Sequence, residues 1–483
     1  MIEETLDPEK WEEIRKLGYQ IIDDMVGHLK NIRRQPVWQP IPQEVKDVFQ
    51  SSIPIKGQDI HSIYDEIKDY VISYRLGNAH PHFWGWVFGT GTLFGAFGDF
   101  IASAINASAG GFEQSAAYVE DQIIEWAKEM FGYDPQASGL ITRGASMANI
   151  IGLTIARNVK AGFDIREEGF QSDHAKLTYY GSEEMHSSLQ KAVELIGVGN
   201  RNLRRISVTE NFQINLEELQ ETIINDKEKG CNPICIIGNL GTVNTGAVDD
   251  LNSLADIARQ HNMWFHIDGA FGVLTRISPK SHHLADGIER ADSIAFDFHK
   301  WMYMNYAAGC VLIKSAKDHY QSFSLTPAYL ARVTRGVAGT ERWRTDYGVE
   351  MSDEFKTLKI WMSLKEHGIK KYGRLVEQNI QQAKYLTSLV EQDENLELLA
   401  PTSMNIVCFR YKKVGMNREQ LNKFNQEILF QLHERGIAVP SYTTLRGDYA
   451  IRVAITNHRS RIEDFDIFIK AVNYIAKEIE IKE

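Results

Sequence analysis

The chain has 483 residues, 43% hydrophobic and 24% charged, which supplies apolar surface for a large core and length for roughly two or three domains. Its formal net charge is -11 with the basic residues scattered, which excludes nucleic acid and anionic membrane surfaces as partners, since both demand clustered positive charge. Four cysteines make no disulfide framework and no apolar run approaches the ~20 residues needed to cross a bilayer, so the chain reads as soluble and cytoplasmic.

Through residues 1–80 apolar positions recur at three and four residues, as at Trp11, Ile14, Leu17, Ile21 and Met25. That spacing predicts helices, interrupted by the proline-broken link RRQPVWQPIPQ (33–43). Helices with so little core of their own pack on the rest of the chain or on a second subunit. From 81 to 365 short β-branched runs alternate with helical stretches. GLITRGASMANIIGLTIARN reads strand, glycine turn, helix, and AKLTYYGS is a strand followed by the helix HSSLQKAVELIG. The apolar strands PICIIGNLG and MWFHIDGAFG flank the helix DDLNSLADIARQH, and SIAFDFHKWMYMNYAAGCVLIK (293–314) reads as two buried strands joined by a turn. This alternation predicts βαβ units, a mainly parallel sheet, and ligands at the carboxyl ends of its strands. Cys231 and Cys235 lead into one of these strands without a companion Cys/His pair at zinc spacing, so they read as core thiols and no metal site is expected. PAYLARVTRGVAGTERWRTDYG (327–348) follows neither period and is expected to be a functional loop. Residues 366–483 read as a smaller α+β portion, with a helix from about Tyr372, strands SMNIVCFRY and DYAIRVAIT, and a closing helix.

Lys300 lies at the end of a predicted buried strand, where an ionised amine is costly unless it is paired or neutralised. It either extends its ammonium into water or forms an imine with a cofactor aldehyde. The second reading demands a carboxylate for a pyridine nitrogen, a phosphate cradle and a ring against the cofactor face. Asp268 ends an apolar strand 300 − 268 = 32 residues earlier, about one βαβ unit. Gly144, Ala145 and Ser146 form a strand-to-helix turn, whose free N–H groups and dipole favour phosphate. His186 stands just past another strand. In this order and context the set points to pyridoxal 5'-phosphate (PLP).

The segments DFHKW, HIDGA, GASMAN, MHSS and GNAHPHFWGWVFGTG resemble the PLP-dependent group II decarboxylases, most closely the aromatic-L-amino-acid decarboxylases, including the bacterial tryptophan and tyrosine decarboxylases. The resemblance runs from HPHF to LRGDYAIRVAITNHRSRIEDF, nearly the whole chain. It implies an α/β chain of the fold type I PLP-dependent transferase (aspartate aminotransferase-like) class, with a mainly parallel seven-stranded sheet in a large domain (81–365) and a smaller C-terminal α+β domain (366–483). It also implies an obligate homodimer with its sites at the subunit interface, the helices of 1–80 packing across it. Carried over by position, Lys300 is the Schiff-base lysine, Asp268 the pyridinium partner and His186 the stacking ring. Ala270 lies at the cofactor's other face, Gly144, Ala145, Ser146 and His299 hold the phosphate region, and Thr242 lies near the cofactor. Tyr329, in the loop, matches the tyrosine that returns a proton to the substrate carbon after CO2 leaves.

On the substrate side Phe83, Trp84, Trp86 and Phe88 cluster around a turn and offer a lining for a flat side chain. By resemblance Trp86, Val87 and Gly89 match the substrate-contacting segment. No arginine or lysine cluster there would hold a second carboxylate. The implied reaction is decarboxylation of tryptophan, tyrosine, phenylalanine or DOPA to the amine. A non-aromatic substrate such as diaminobutyrate or histidine, and oxidative conversion to an aldehyde, are the rivals; the aldehyde-forming variants tend to carry phenylalanine in place of the loop tyrosine. A nucleotide-binding oxidoreductase read from FGTGTLFGAFG lacks a strand-turn-helix fingerprint and a ribose-binding acid. The sequence departs from the family's usual residues at Arg143 in the phosphate turn, Val243, Asp353 and Glu354, and Asp297 stands where the animal enzymes have asparagine.

Overall fold

The computed structural model describes residues 3–171, 173–325, 333–340 and 342–482. Its strands are β1 (Phe83–Trp84), β2 (Ser138–Thr142), β3 (Leu177–Ser182), β4 (Leu203–Ile206), β5 (Asn232–Asn239), β6 (Trp264–Asp268), β7 (Ser293–Asp297), β8 (Gly309–Ile313), β9 (Leu396–Leu398), β10 (Ile406–Tyr411), β11 (Val439–Leu445) and β12 (Asp448–Ala454). β2 to β8 make a seven-stranded sheet in the order β2-β8-β7-β6-β5-β3-β4. β8 runs antiparallel to both neighbours and the remaining pairs are parallel, so the expected mainly parallel sheet is present.

These strands are continuous apolar runs because helices cover both faces of the sheet. In β5, Ile236 packs into one layer with Leu251, Leu254 and Phe265. Cys235 and Ile237 point the other way, into a layer with Ala148, Ile151 and Ile155 of the helix Ala145–Lys160. Alternate side chains of one strand therefore build both cores. Burial pushes the Cys235 thiol well above its ordinary value, as expected for a packing thiol.

The smaller sheet has the order β1-β11-β12-β10-β9 and packs Phe409 and Val453 against Ile428 and Phe465 of its helices. β1 joins it in parallel, pairing Phe83 with Val439 and Trp84 with Pro440. Sequence reading assigned residues 83–84 to the large domain, because a two-residue strand carries no periodicity of its own. Trp84 anchors it, stacked on Phe465 at 4.9 Å and donating its indole N–H to Ser460 Oγ at 3.0 Å. The chain then turns back toward the carboxyl edge of the large sheet. The N-terminal helix Trp11–Lys30 buries Leu17 alone among its twenty residues. No helix among the described residues is long and apolar enough to cross a membrane.

Candidate active site

A cavity of about 440 Å3 opens at the carboxyl edge of the large sheet. β2 delivers Arg143, Gly144, Ala145 and Ser146 to it, at the start of the helix Ala145–Lys160, and one turn later that helix adds Asn149. The turn after β3 brings His186, the end of β6 brings Asp268 and Ala270, and the turn between β7 and β8 brings His299, Lys300 and Tyr306. The chain can approach closely here because two glycines face one another: a Cβ on Gly309 would lie 2.4 Å from Gly144 Cα.

Lys300 does not extend into solvent. Its side chain is 22% exposed and its Nζ lies 3.1 Å from Asp297 Oδ2. The other oxygen of Asp297 accepts the Ala145 N–H at 2.7 Å, so the carboxylate is satisfied from two sides and ties the lysine to the helix start. A buried charge needs such partners. His299 is buried, which pushes its pKa down, and its ring packs on Tyr306 at 4.3 Å between centroids.

His186 caps the helix Ser187–Leu195 with its ring: Nδ1 accepts the Ser188 N–H at 3.2 Å and lies 2.7 Å from Ser188 Oγ. Desolvation pushes its pKa down against the pull of Asp268. With Nδ1 accepting, the neutral ring carries its proton on Nε2. Asp268 Oδ1 accepts the Ala270 N–H at 3.2 Å and Oδ2 accepts from Asn149 Nδ2 at the same distance.

The structure brings together Gly144, Ala145, Ser146, His186, Asp268, Ala270, His299 and Lys300 around this cavity. Thr242 does not line it. Its buried hydroxyl accepts the Ala247 N–H at 3.0 Å and meets Thr245 Oγ1 at 3.1 Å, closing the turn after β5. Trp86, Val87 and Gly89, expected at the substrate, do not line the cavity either. Trp86 is 46% exposed in a left-handed conformation (φ 52) and Val87 is buried. A Cβ on Gly89 would fall 1.8 Å from the His299 carbonyl oxygen, so Gly89 presses directly on the backbone of the lysine turn. Tyr329 lies outside the described residues. Of the expected loop 327–348, the stretch 342–348 is anchored: Trp343 and Arg344 are buried, with Arg344 Nε 3.2 Å from Glu120. Sequence patterning missed this because the anchor is a buried ion pair, not a periodic apolar face.

The departures have local partners. Arg143 lines the cavity and pairs with Glu350 at 3.3 Å. Asp353 pairs with Lys356, and the Val243 carbonyl accepts from Arg452. Sequence reading passed over Asn149, Ser188 and Tyr306. Asn149 had a signal, since positions 145 and 149 share one helix face; Tyr306 had none.

An amine, a buried carboxylate, an imidazole and a helix N-terminus on one cavity are the donor set that PLP requires: aldehyde, ring nitrogen, ring face and phosphate. Residues 42–412 match the family model described as the pyridoxal-dependent decarboxylase conserved domain. The chain is 31% identical to an aromatic-L-amino-acid decarboxylase of Bacillus atrophaeus over 478 residues, 97% of each chain. It is 26% identical to a phenylacetaldehyde synthase of Petunia hybrida, over 93% of this chain and 91% of that one. A crystal structure of Oryza sativa TDC with PLP and tryptamine superposes with a TM-score of 0.90 at 23% identity, covering 98% of this chain and 100% of that one, which shows the same fold.

Proposed function

The chain belongs to the pyridoxal-dependent decarboxylase family and is a PLP-dependent carboxy-lyase, and from that premise we propose that it decarboxylates an aromatic L-amino acid, releasing the amine and CO2. The observation that carries the aromatic preference is a ladder of rings leading out of the cavity. Tyr306, in its wall, meets Phe88 edge-on at 6.2 Å; Phe88 meets Trp86 at 5.8 Å; Trp86 meets Phe83 at 6.3 Å. Such surfaces favour a flat apolar side chain. The buried Arg452 beside the ladder gives its guanidinium to the carbonyls of Trp86, Val243 and Asn244, which argues against its holding a second substrate carboxylate.

Lys300 Nζ would hold PLP through its aldehyde carbon, and the bound cofactor would supply the electron sink for the pair left when the Cα–carboxylate bond breaks. Asp297 Oδ2 fixes the lysine side chain and accepts from its ammonium. Asp268 would hold the proton on the ring nitrogen by a charge-assisted hydrogen bond, and Asn149 and the Ala270 N–H fix its two oxygens. His186 would lie against the ring face, and with Ser188 occupying Nδ1 its Nε2–H is directed to no partner among the described residues and would be available to the substrate. The N-terminal amides around Gly144 to Ser146, with His299 beside them, would hold the phosphate. Gly89 and Val87 shape the approach, Trp86 closes its outer side, and Tyr329 returns a proton to the substrate Cα. Thr242 acts here only by closing the turn after β5.

The same reading makes the molecule a homodimer. The helix Trp11–Lys30 leaves Trp11, Ile14, Tyr19 and Ile22 exposed, and the helix Leu93–Ile105 leaves Phe94, Phe100 and Ile105 exposed. A second copy would cover these faces.

The test is mass-spectrometric product analysis of purified protein with PLP, in air, against the proteinogenic L-amino acids and DOPA. An aromatic amine is expected, with turnover falling roughly 10³-fold or more in Lys300→Ala, the scale of removing a covalent catalytic group. An aldehyde with ammonia would assign the oxidative reaction, as in the Petunia relative's name. Turnover of a non-aromatic acid alone would overturn the aromatic preference.

A further inference from the structure

Behind the cavity wall runs a chain of buried polar groups that do not touch the reacting atoms. The Trp264 indole N–H lies 2.7 Å from Ser293 Oγ, and that same oxygen lies 2.7 Å from His266 Nδ1. His266 Nε2 is 2.9 Å from Asn149 Oδ1. Asn149 Nδ2 is 3.2 Å from Asp268 Oδ2 and 3.2 Å from Ser188 Oγ, which is itself 2.7 Å from His186 Nδ1.

The chemistry of each group fixes the direction of the chain. The Asp268 carboxylate only accepts, so Asn149 turns its Nδ2 toward it and its Oδ1 inward to His266. His266 Nε2 therefore carries the imidazole proton and donates it to that oxygen, and Nδ1 accepts from the Ser293 hydroxyl, whose oxygen takes the indole N–H. Both amide hydrogens of Asn149 therefore face the cavity, one toward Asp268 and one toward Ser188 and His186. Trp264, Ser293, His266 and Asn149 are all buried, so each misdirected proton would be left unsatisfied. Burial holds His266 at a pKa of about 3, which keeps it a neutral donor. The helix Ala145–Lys160 makes room for the ring: a Cβ on Gly152, in its interior, would lie 2.9 Å from the imidazole and 3.3 Å from Ser293 Oγ.

We propose that His266 and Asn149 are positioning residues, a one-way hydrogen-bond relay running between the sheet and the helix Ala145–Lys160 that aligns Asp268 and His186 together on the cofactor. The proposal rests on the reading that these two side chains face PLP. Its strength lies in the branch point, because one amide group sets the orientation of the ring-nitrogen partner and of the stacking imidazole.

The test uses holoenzyme and three readouts: kcat and KM for the substrate identified above, visible circular dichroism of the bound cofactor, and the thermal midpoint. In His266→Phe, kcat is expected to fall about three- to tenfold, the worth of one neutral hydrogen bond, with KM within about twofold. The cofactor dichroism is expected to change. His266→Gln, whose amide nitrogen reaches about the position of Nε2, is expected to restore both. Should His266→Phe fail to fold, Ser293→Ala, which unlocks the imidazole proton, is expected to lower kcat about fivefold with the same spectral change. Unchanged kcat and dichroism in a folded His266→Phe, or in Ser293→Ala, would overturn the relay. So would a His266→Gln protein as impaired as His266→Phe, with both merely losing stability. Asp268→Ala serves as the reference. If it leaves the cofactor dichroism unchanged, the underlying site reading fails and the relay with it; if it changes the signal while His266→Phe does not, only the relay fails.

Discussion

Two helices of this molecule make opposite use of apolar residues. Ala145–Lys160 buries eight of its sixteen residues, between sheet and neighbouring helix, and starts at the cavity. Trp11–Lys30 buries one of twenty and turns Trp11, Ile14 and Ile22 outward. Both sequences are amphipathic, so the pattern alone predicts helix in each case. The difference lies in the partner: the first helix finds its covering surface within the chain, and the second leaves its apolar face open.

A pair of substitutions breaks this comparison most sharply. Ile151→Asp, at a position 1% exposed, buries an unpaired carboxylate and is expected to cost about 3–5 kcal/mol and prevent folding. Ile14→Asp, at 42% exposure, is expected to change monomer stability by about 0.5 kcal/mol or less while weakening self-association by about 2 kcal/mol or more. Sedimentation together with thermal unfolding checks both, and a monomeric wild-type protein would remove the role assigned to the outward face.

The approach segment offers the next test. Gly89→Ala pushes a methyl onto the His299 and Lys300 carbonyls, where backbone must move. An effect of about 1–3 kcal/mol is expected, read as weaker PLP retention, with the global thermal midpoint little altered. Tight PLP binding in that variant would show the lysine turn to be softer than its packing implies.

Acid sharpens the contrast from another side. The well-covered body holds His266, His319 and His458 neutral at about 3, and His80 at about 4, against an ordinary value of 6.5, in each case mainly by burial. A depressed folded value means that the unfolded chain binds more protons below pH 6.5. The stability these groups contribute is therefore complete above about 6.5 and is lost as pH falls through the window toward 3. The Asp464 carboxylate, beside His82 and Arg33, has its pKa held at about 2 and adds a loss below its ordinary 3.8. Thermal midpoints measured from pH 7 to 4 should fall steadily; a flat profile would contradict the neutral assignment.

The smallest expected effect concerns Thr242. Thr242→Val removes a turn hydrogen bond and should cost about 1 kcal/mol of stability with kcat unchanged. A large loss of kcat with stability intact would put Thr242 back at the cofactor.

The amino-acid sequence by itself determined the alternation of strand and helix, the mainly parallel sheet, and the placing of Gly144, His186, Asp268 and Lys300 at strand ends. These follow from short-range physics: the period of apolar residues says which face is buried, and a glycine turn between strand and helix says where a ligand can approach. Tertiary structure alone decided what each face is buried against. It joined β1 to β11 across more than three hundred residues, set Gly89 against the lysine turn, and took Thr242 out of the cavity. It also made Asn149 the link between His266 and Asp268, since a hydrogen bond between residues 119 positions apart leaves no periodic trace in the chain.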